Sequence, residues 1–155
     1  GVQKGNPKHL KTLDDLAQPG LRVGVGEAKS CAVGTLTERL LTQNGLAEKI
    51  APNVVLRTPM APELGTALKL GSIDACINWD AVSYWYRDAI DVVPIDPAKN
   101  VTTQIAAAVL KFTTQREAAQ RFVDFLAGTA GRGVFEQAHY TVDLGQPVFP
   151  WKAAP

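Results

Sequence analysis

The sequence predicts a three-layer α/β/α domain with a mostly parallel sheet. Short runs rich in β-branched residues alternate with segments of helical periodicity, and glycine or proline stands at many of their borders. Strands that alternate with helices form parallel sheets covered on both faces. The predicted strands are residues 21–25, 53–57, 74–78 and 91–95.

Helices are predicted between these strands because apolar residues recur at helical spacing. The residues that carry this spacing are Leu36, Leu40 and Leu41, then Leu64, Ala67 and Leu68, and then Val82, Trp85, Tyr86 and Ala89. We expect Trp85 and Tyr86 to lie in the core. Gly45 and Gly71 follow the first two segments, where a glycine commonly ends a helix.

The last third of the chain has a different pattern. Residues 102–110 predict a long buried strand, and residues 131–138 predict a short helix. Between them, a stronger helix is marked by Ala118, Ala119, Phe122, Val123 and Leu126. Residues 1–141 are therefore interpreted as a single domain, and the proline-rich residues 142–155 as an extended tail.

Composition excludes several classes of function. A net charge of +1 without a Lys/Arg cluster argues against a nucleic-acid partner. No apolar run approaches the roughly 20 residues of a membrane helix. Residues 1–10 lack the apolar centre of a signal peptide, so we expect that an export signal has been removed or was never present. Cys31 and Cys76 are too few and too far apart for a zinc motif, and we expect no metal or cofactor.

Residues 20–35, GLRVGVGEAKSCAVGT, form a predicted strand, a glycine turn and a helix start. Gly24 and Gly26 match the beginning of a dinucleotide fingerprint, but Lys29 stands where its third glycine is required. A helix that begins near Thr35 could still bind an anion through its unpaired N–H groups. The alternative is an ordinary loop between a strand and a helix.

Two further loops are expected at the same edge of the sheet, since parallel strands end there together. Residues 58–64 follow a strand and open a helix at Pro62, which suits the first helical position. After the next strand, Trp79 is either a ligand donor through its indole N–H or a packing residue. Asp80 is expected to cap the helix that follows, with a ligand or metal role as its alternative.

Catalysis has little support in the sequence. No serine lies in a nucleophile motif with histidine and carboxylate partners. Cys31 is either a reactive thiol near a helix start or one half of a disulfide with Cys76. The chain is therefore predicted to be a binding module and not an enzyme.

Several segments together resemble the periplasmic molybdate-binding proteins of ABC uptake systems, in the type II periplasmic binding-protein superfamily. The resemblance spans residues 2–141 and rests on VQKGNPKHLKTLDDLAQPGLRVGVGE, AVGT, GSIDACINWDAV and AAAVLKFTTQREAAQRFVDFLAGTAGRGVFEQAHY. It implies a fold of two α/β lobes with crossover strands and an oxyanion held between the lobes, mostly by neutral donors.

The resemblance also implies positions for the ligand contacts. The anion loop would comprise Ser30, Cys31, Val33 and Gly34, with the backbone amide of Val33 as its donor. A second amide would be that of Ala61, and Trp79 falls where the family has a tyrosine donor. Trp79 and Cys31 depart from the usual pattern, which bears on the size or identity of the ligand.

The implied function is that of the solute-binding component of an ABC transporter, for molybdate, tungstate or a similar oxyanion. Its partners would be the anion and a membrane permease, and its location the periplasm or the outer face of a membrane. This chain begins at the family's crossover segment, so it is expected to form one lobe with about half of the site. Self-association or domain swapping is then expected. The alternative function is the ligand-sensing domain of a transcriptional regulator.

Overall fold

The computed structural model describes residues 1–142, and the chain divides into two compact units, Gly1–Gln104 and Ile105–Pro155. The predicted single domain over 1–141 extends across both units. The predicted tail, 142–155, lies outside the described residues except for Val142.

The first unit contains a five-stranded sheet. In chain order its strands are β1 Val2–Gln3, β2 Val23–Gly26, β3 Val54–Thr58, β4 Ala75–Cys76 and β5 Ile90–Asp91. Their order across the sheet is β3-β2-β4-β1-β5. β2 pairs in parallel with β3 and β4, whereas β1 runs antiparallel to β4 and β5. Four strands therefore share one direction, and the predicted mostly parallel sheet is confirmed.

The described helices lie in both units. They are α1 Ala32–Gln43, α2 Ala47–Ile50, α3 Ala61–Lys69, α4 Asp80–Tyr84, α5 Arg116–Ala127 and α6 Thr129–Gln137, with short 3-10 helices at Leu13–Ala17 and Ala51–Asn53. Gly45 and Gly71 follow α1 and α3 with φ of +65° and +72°, so both predicted helix ends are confirmed.

The three layers follow from the alternation of side chains along the strands. Val23 and Val25 of β2 pack on one face of the sheet, in a cluster that includes Leu40 of α1. Gly24 lies on the other face, where an added Cβ would be 2.6 Å from Ile73 Cδ1. That face packs against α3, whose Leu64 is fully buried. The sheet is thus covered by α1 on one side and by α3 on the other.

Two predicted strands differ from the structure. Of residues 91–95, only Asp91 belongs to a strand. Residues 102–110 form no strand and are exposed or half-buried, so the prediction of a long buried strand is wrong. The physical reason is that an extended segment becomes a strand only by pairing, and among the described residues no strand pairs with it.

The apolar spacing after residue 80 also misled the prediction. α4 ends at Tyr84. After it, the N–H groups of Trp85, Tyr86 and Arg87 each donate to the carbonyl three residues earlier, so the chain continues as turns. Trp85 is 57% exposed, so its predicted place in the core is wrong, whereas Tyr86 packs partly buried against α3. The prediction assumed one continuous helix through Ala89, whereas the α-helix ends at Tyr84.

The second unit contains α5 and α6, close to the two predicted helices. No residue of α5 is buried, and Phe122 and Phe125 on its apolar side are 61% and 49% exposed. The two helices touch closely at Gly131, where an added Cβ would lie within 2.3 Å of Phe125 O. Across residues 1–142, no helix is both long and apolar enough to cross a bilayer.

Candidate functional site

The ends of β2 and β3 lie side by side. Gly26 is paired with Thr58, and the N–H of Glu27 donates to Thr58 O at 2.7 Å, which extends the pairing by one residue. The loops that lead to α1 and α3 therefore leave the sheet from neighbouring positions. This is the arrangement expected for parallel strands that end at one edge.

The loop before α1 is folded by backbone hydrogen bonds. The N–H groups of Ser30 and Cys31 both donate to Glu27 O, at 3.2 and 2.8 Å. Cys31 then precedes the helix with extended backbone, and its carbonyl accepts from Gly34 and Thr35. No described residue accepts a hydrogen bond from the N–H of Val33. That amide is an open donor at the positive end of a 12-residue helix.

A contact between two glycines brings α1 against β2. A Cβ on Gly34 would lie 2.5 Å from Gly26 O, and a Cβ on Gly26 would lie 2.7 Å from the nitrogen of Gly34. Only glycine at both positions allows this approach without a shift of the backbone. In the sequence Gly26 stands out only as part of an incomplete nucleotide motif, and its contact with Gly34 was not predicted.

The start of α3 also has one open donor. Met60 precedes the helix with extended backbone, and its carbonyl accepts from the N–H of Glu63 at 3.2 Å. Pro62 has no N–H and is the second helical residue, not the first as predicted. Among the described residues, none accepts a hydrogen bond from the N–H of Ala61, the first residue of the helix.

The segment after β4 brings Trp79 to this edge. Trp79 is half-buried and precedes α4 with extended backbone. Asp80 is the first residue of that helix, and its Oδ1 accepts the N–H of Ala81 at 2.8 Å. The residue at the cap position is therefore Trp79 and not Asp80 as predicted, although Asp80 stabilises the first turn through this bond.

Most of the predicted ligand contacts meet in one apolar cluster. Val33, Ala61 and Val82 are its buried members, and Cys31, Trp79 and Tyr86 pack against them partly buried. Gly34 is next to Val33 in α1, and Ser30 is exposed on the preceding loop. Sequence reasoning missed Val82 and Tyr86 as neighbours of this cluster, which we call the amide cluster.

The two cysteines are both free. Cys31 borders the amide cluster, whereas Cys76 is buried in the core beneath α3. Burial raises the pKa of the Cys76 thiol, which keeps it protonated and unreactive. The alternative of a disulfide between them is therefore not realised in this structure.

The amide cluster has no charged member. An anion at this edge would therefore meet N–H dipoles and the indole N–H instead of a cationic side chain. Glu27 and Lys29 lie in the adjoining loop, half-buried and exposed respectively. Within residues 1–142, no three His, Cys, Asp or Glu side chains are grouped so that they could hold a metal ion.

Comparison with known proteins identifies relatives of nearly the whole chain. Residues 1–141 match the family model described as bacterial extracellular solute-binding protein. The molybdate-binding protein ModA of Mycobacterium bovis is 29% identical over 136 residues, which are 88% of this chain and 50% of the relative. ModA of Mycobacterium tuberculosis strain H37Rv gives the same values. The chain thus spans about half the length of the curated relatives it matches.

Solved structures support the fold. Peb3 from Campylobacter jejuni has a TM-score of 0.69 at 21% identity, with 88% of this chain and 61% of that chain covered. A structure of PEB3 bound to L-phospholactate has a TM-score of 0.70 at 18% identity and the same coverage. The curated relatives are binding proteins and not enzymes, which agrees with the predicted binding module. The chain belongs to the bacterial extracellular solute-binding protein family.

Proposed function

We propose that this chain forms one side of the ligand site of a solute-binding protein that captures a molybdate-like oxyanion for an ABC permease. One observation supports it. The N–H groups of Val33 and Ala61 have no acceptor among the described residues and lie in the first turns of two helices, and both residues belong to the amide cluster. Such a protein works in the periplasm or on the outer face of a membrane. The ModA relatives supply the ligand class of the proposal.

Electrostatics favour an anion at this edge without any cationic side chain. Each helix start carries roughly half a positive charge, from N–H groups that lack intrahelical acceptors. α1 has 12 residues and α3 has nine, so both are long enough for an aligned dipole. Two such ends beside each other add their fields at a shared point.

The donors at the amide cluster also favour one kind of oxyanion. The amides of Val33 and Ala61 and the indole N–H of Trp79 donate hydrogen bonds and accept none. A fully deprotonated anion such as molybdate, tungstate or sulfate offers acceptors only and matches this set. A protonated phosphate would leave its O–H without an acceptor among these three groups, which costs affinity.

One side of a site binds weakly. Since the chain spans about half the length of its ModA relatives, we expect a second set of donors on the remainder of such a protein. This chain alone should then bind molybdate with a dissociation constant near the millimolar range, about −4 kcal/mol. Micromolar binding by the monomer would contradict the proposal of a half site.

Titration of the ¹⁵N-labelled chain with molybdate tests the proposal. We expect the amide resonances of Val33, Gly34 and Ala61 and the indole resonance of Trp79 to shift, whereas Gly133 in α6 does not. Molybdate and sulfate should act at lower concentration than phosphate, and chloride should have no site-specific effect. If molybdate up to tens of millimolar moves none of these four resonances, the proposed site is wrong.

Two tryptophans provide a matched pair of variants. Trp79→Phe removes the indole donor and keeps an aromatic ring, so molybdate affinity should fall about tenfold, as for a lost hydrogen bond to a charged group. Trp85→Phe changes a side chain that is 57% exposed and should leave the affinity unchanged. Equal affinities for both variants would remove Trp79 from the site.

The regulator alternative would gain support if the gene encodes a DNA-binding segment upstream.

A further inference from the structure

The first turn of α3 is attached to the segment after β4 at two successive carbonyl groups. Asn78 Nδ2 donates to Ala61 O at 3.1 Å, and the hydroxyl of Tyr86 donates to Pro62 O at 2.8 Å. Carbonyls in a first helical turn also accept bonds from within their own helix, and a carbonyl oxygen has two lone pairs. Both side chains therefore add restraints to a turn that is already formed.

The other end of the Asn78 amide holds Trp79. Asn78 Oδ1 accepts the backbone N–H of Trp79 at 2.9 Å. One planar side chain is thus bonded to Ala61 on one side and to Trp79 on the other. It joins two of the elements that carry the proposed ligand donors.

The Tyr86 ring fixes the same turn by packing. It lies against Gly65 of α3, where an added Cβ would fall 2.4 Å from ring carbons. Its hydroxyl also lies 3.2 Å from Oγ1 of Thr66. The ring can approach α3 this closely only because residue 65 has no side chain. We call Asn78 and Tyr86 together the α3 clamp.

The position of α3 matters because, of its first three residues, Ala61 alone has an N–H with no acceptor among the described residues. Pro62 has no N–H, and the N–H of Glu63 is bonded to Met60. Any ligand that uses this turn therefore depends on the amide of Ala61. A displacement of the Ala61 amide by a fraction of an ångström would weaken its hydrogen bond to a ligand, because such bonds depend steeply on distance and angle.

We propose that Asn78 and Tyr86 are positioning residues that set the spacing between the Ala61 amide and the Trp79 indole. Neither side chain needs to contact the ligand for this role. The inference rests on the proposed function for its effect on binding, whereas its structural part can be measured without a ligand. Asn78 has the larger role of the two, since it is bonded to both elements.

Asn78→Ala and Asn44→Ala form a matched pair for the binding test. Asn44 is also half-buried, and its amide donates to two backbone carbonyls, Leu40 O and Lys99 O, at the far end of α1. Both variants should lose a similar amount of thermal stability. In the molybdate titration, Asn78→Ala should raise the dissociation constant about three- to tenfold, the range of one or two neutral hydrogen bonds, and Asn44→Ala should leave it unchanged.

Tyr86→Phe tests the second half of the clamp. It removes the bond to Pro62 O and keeps the ring against Gly65, so the dissociation constant should rise by a smaller factor, about two- to threefold. Equal dissociation constants for Asn78→Ala, Asn44→Ala and the unmodified chain would overturn the proposal, whatever happens to stability.

Measurements without ligand separate this inference from the proposed function. In Asn78→Ala, hydrogen exchange of the Trp79 amide should accelerate and the Ala61 amide resonance should move, whereas in Asn44→Ala both stay unchanged. If molybdate fails to bind the unmodified chain but these changes occur, the proposed ligand is wrong and the positioning role holds. Unchanged exchange and resonances in Asn78→Ala would overturn the positioning role itself.

Discussion

The two units of the molecule use apolar helix faces in opposite ways. In the first unit, Leu64 and Leu68 of α3 are almost completely buried against the sheet. In the second unit, α5 carries a clear apolar side, and yet none of its residues is buried. An amphipathic pattern therefore identifies a face that can be buried, but not the surface that buries it. In the first unit that surface is the sheet.

The largest effect that tests this comparison is a pair of truncations. Leu64→Ala removes a fully buried side chain and should lower the free energy of unfolding by about 2–5 kcal/mol. Phe122→Ala removes a larger side chain that is 61% exposed and should change it by less than about 0.5 kcal/mol. Urea denaturation followed by circular dichroism measures both.

Protein concentration is the control for that pair. If Phe122→Ala costs as much as Leu64→Ala and the cost grows with concentration, the exposed face of α5 is buried by a second copy of the chain. Sedimentation equilibrium would then show a dimer, which is the self-association expected from the sequence. If the cost is large at every concentration and the chain is monomeric, the contrast between the two units is wrong.

The sequence was informative wherever local rules decide the structure. The strand over 21–25 was observed at Val23–Gly26, and the helix signals near residues 118–126 match α5. The meeting of Val33, Ala61 and Trp79 also followed from a general rule, because parallel strands end at one edge of a sheet. Topology placed the three loops at one edge, whereas the positions of Val33 and Ala61 within those loops were implied by the family resemblance.

The sequence was misleading where a distant partner decides the structure. Residues 102–110 have the composition of a strand but no described pairing partner, and composition alone cannot supply one. The contact of Gly26 with Gly34 and the bond from Asn78 to Ala61 depend on how two elements approach each other. No local pattern in the sequence encodes those distances.

Substitutions of two glycines, one in each unit, test the comparison with changes of intermediate size in the free energy of unfolding. Gly34→Ala would put a Cβ 2.5 Å from Gly26 O, a backbone atom that cannot move freely, and should cost about 1–3 kcal/mol. Gly133→Ala lies inside α6 with open space around it and should stabilise the chain by up to about 1 kcal/mol. The same urea measurement gives both values. A stabilising Gly34→Ala would show that α1 does not lie against the end of β2.

The smallest effect is the pH dependence of an ion pair in the first unit. The Asp74 carboxylate is 4% exposed. It accepts hydrogen bonds from Nη2 of Arg22 at 2.7 Å and from the backbone N–H of Arg22 at 2.9 Å. The hydrogen bonds from Arg22 lower the pKa of Asp74 in the folded state. Arg22 itself is 44% exposed, so solvent screens the pair and limits its contribution.

The sign of that effect is fixed by linkage. Because the folded pKa of Asp74 lies below the unfolded value of about 3.9, the stabilisation is fully present at higher pH. It is lost as the pH falls through about 4 towards the folded pKa. Asp74→Asn should therefore lower stability at pH 7 and flatten its decline between about pH 5 and pH 2. Asp124→Asn in α5 is the control at pH 7 and should change stability by less than about 0.5 kcal/mol, because its side chain is exposed and, among the described residues, accepts from the neutral amide of Gln120. An unchanged acid decline in Asp74→Asn would show that the Arg22 pair is open in solution.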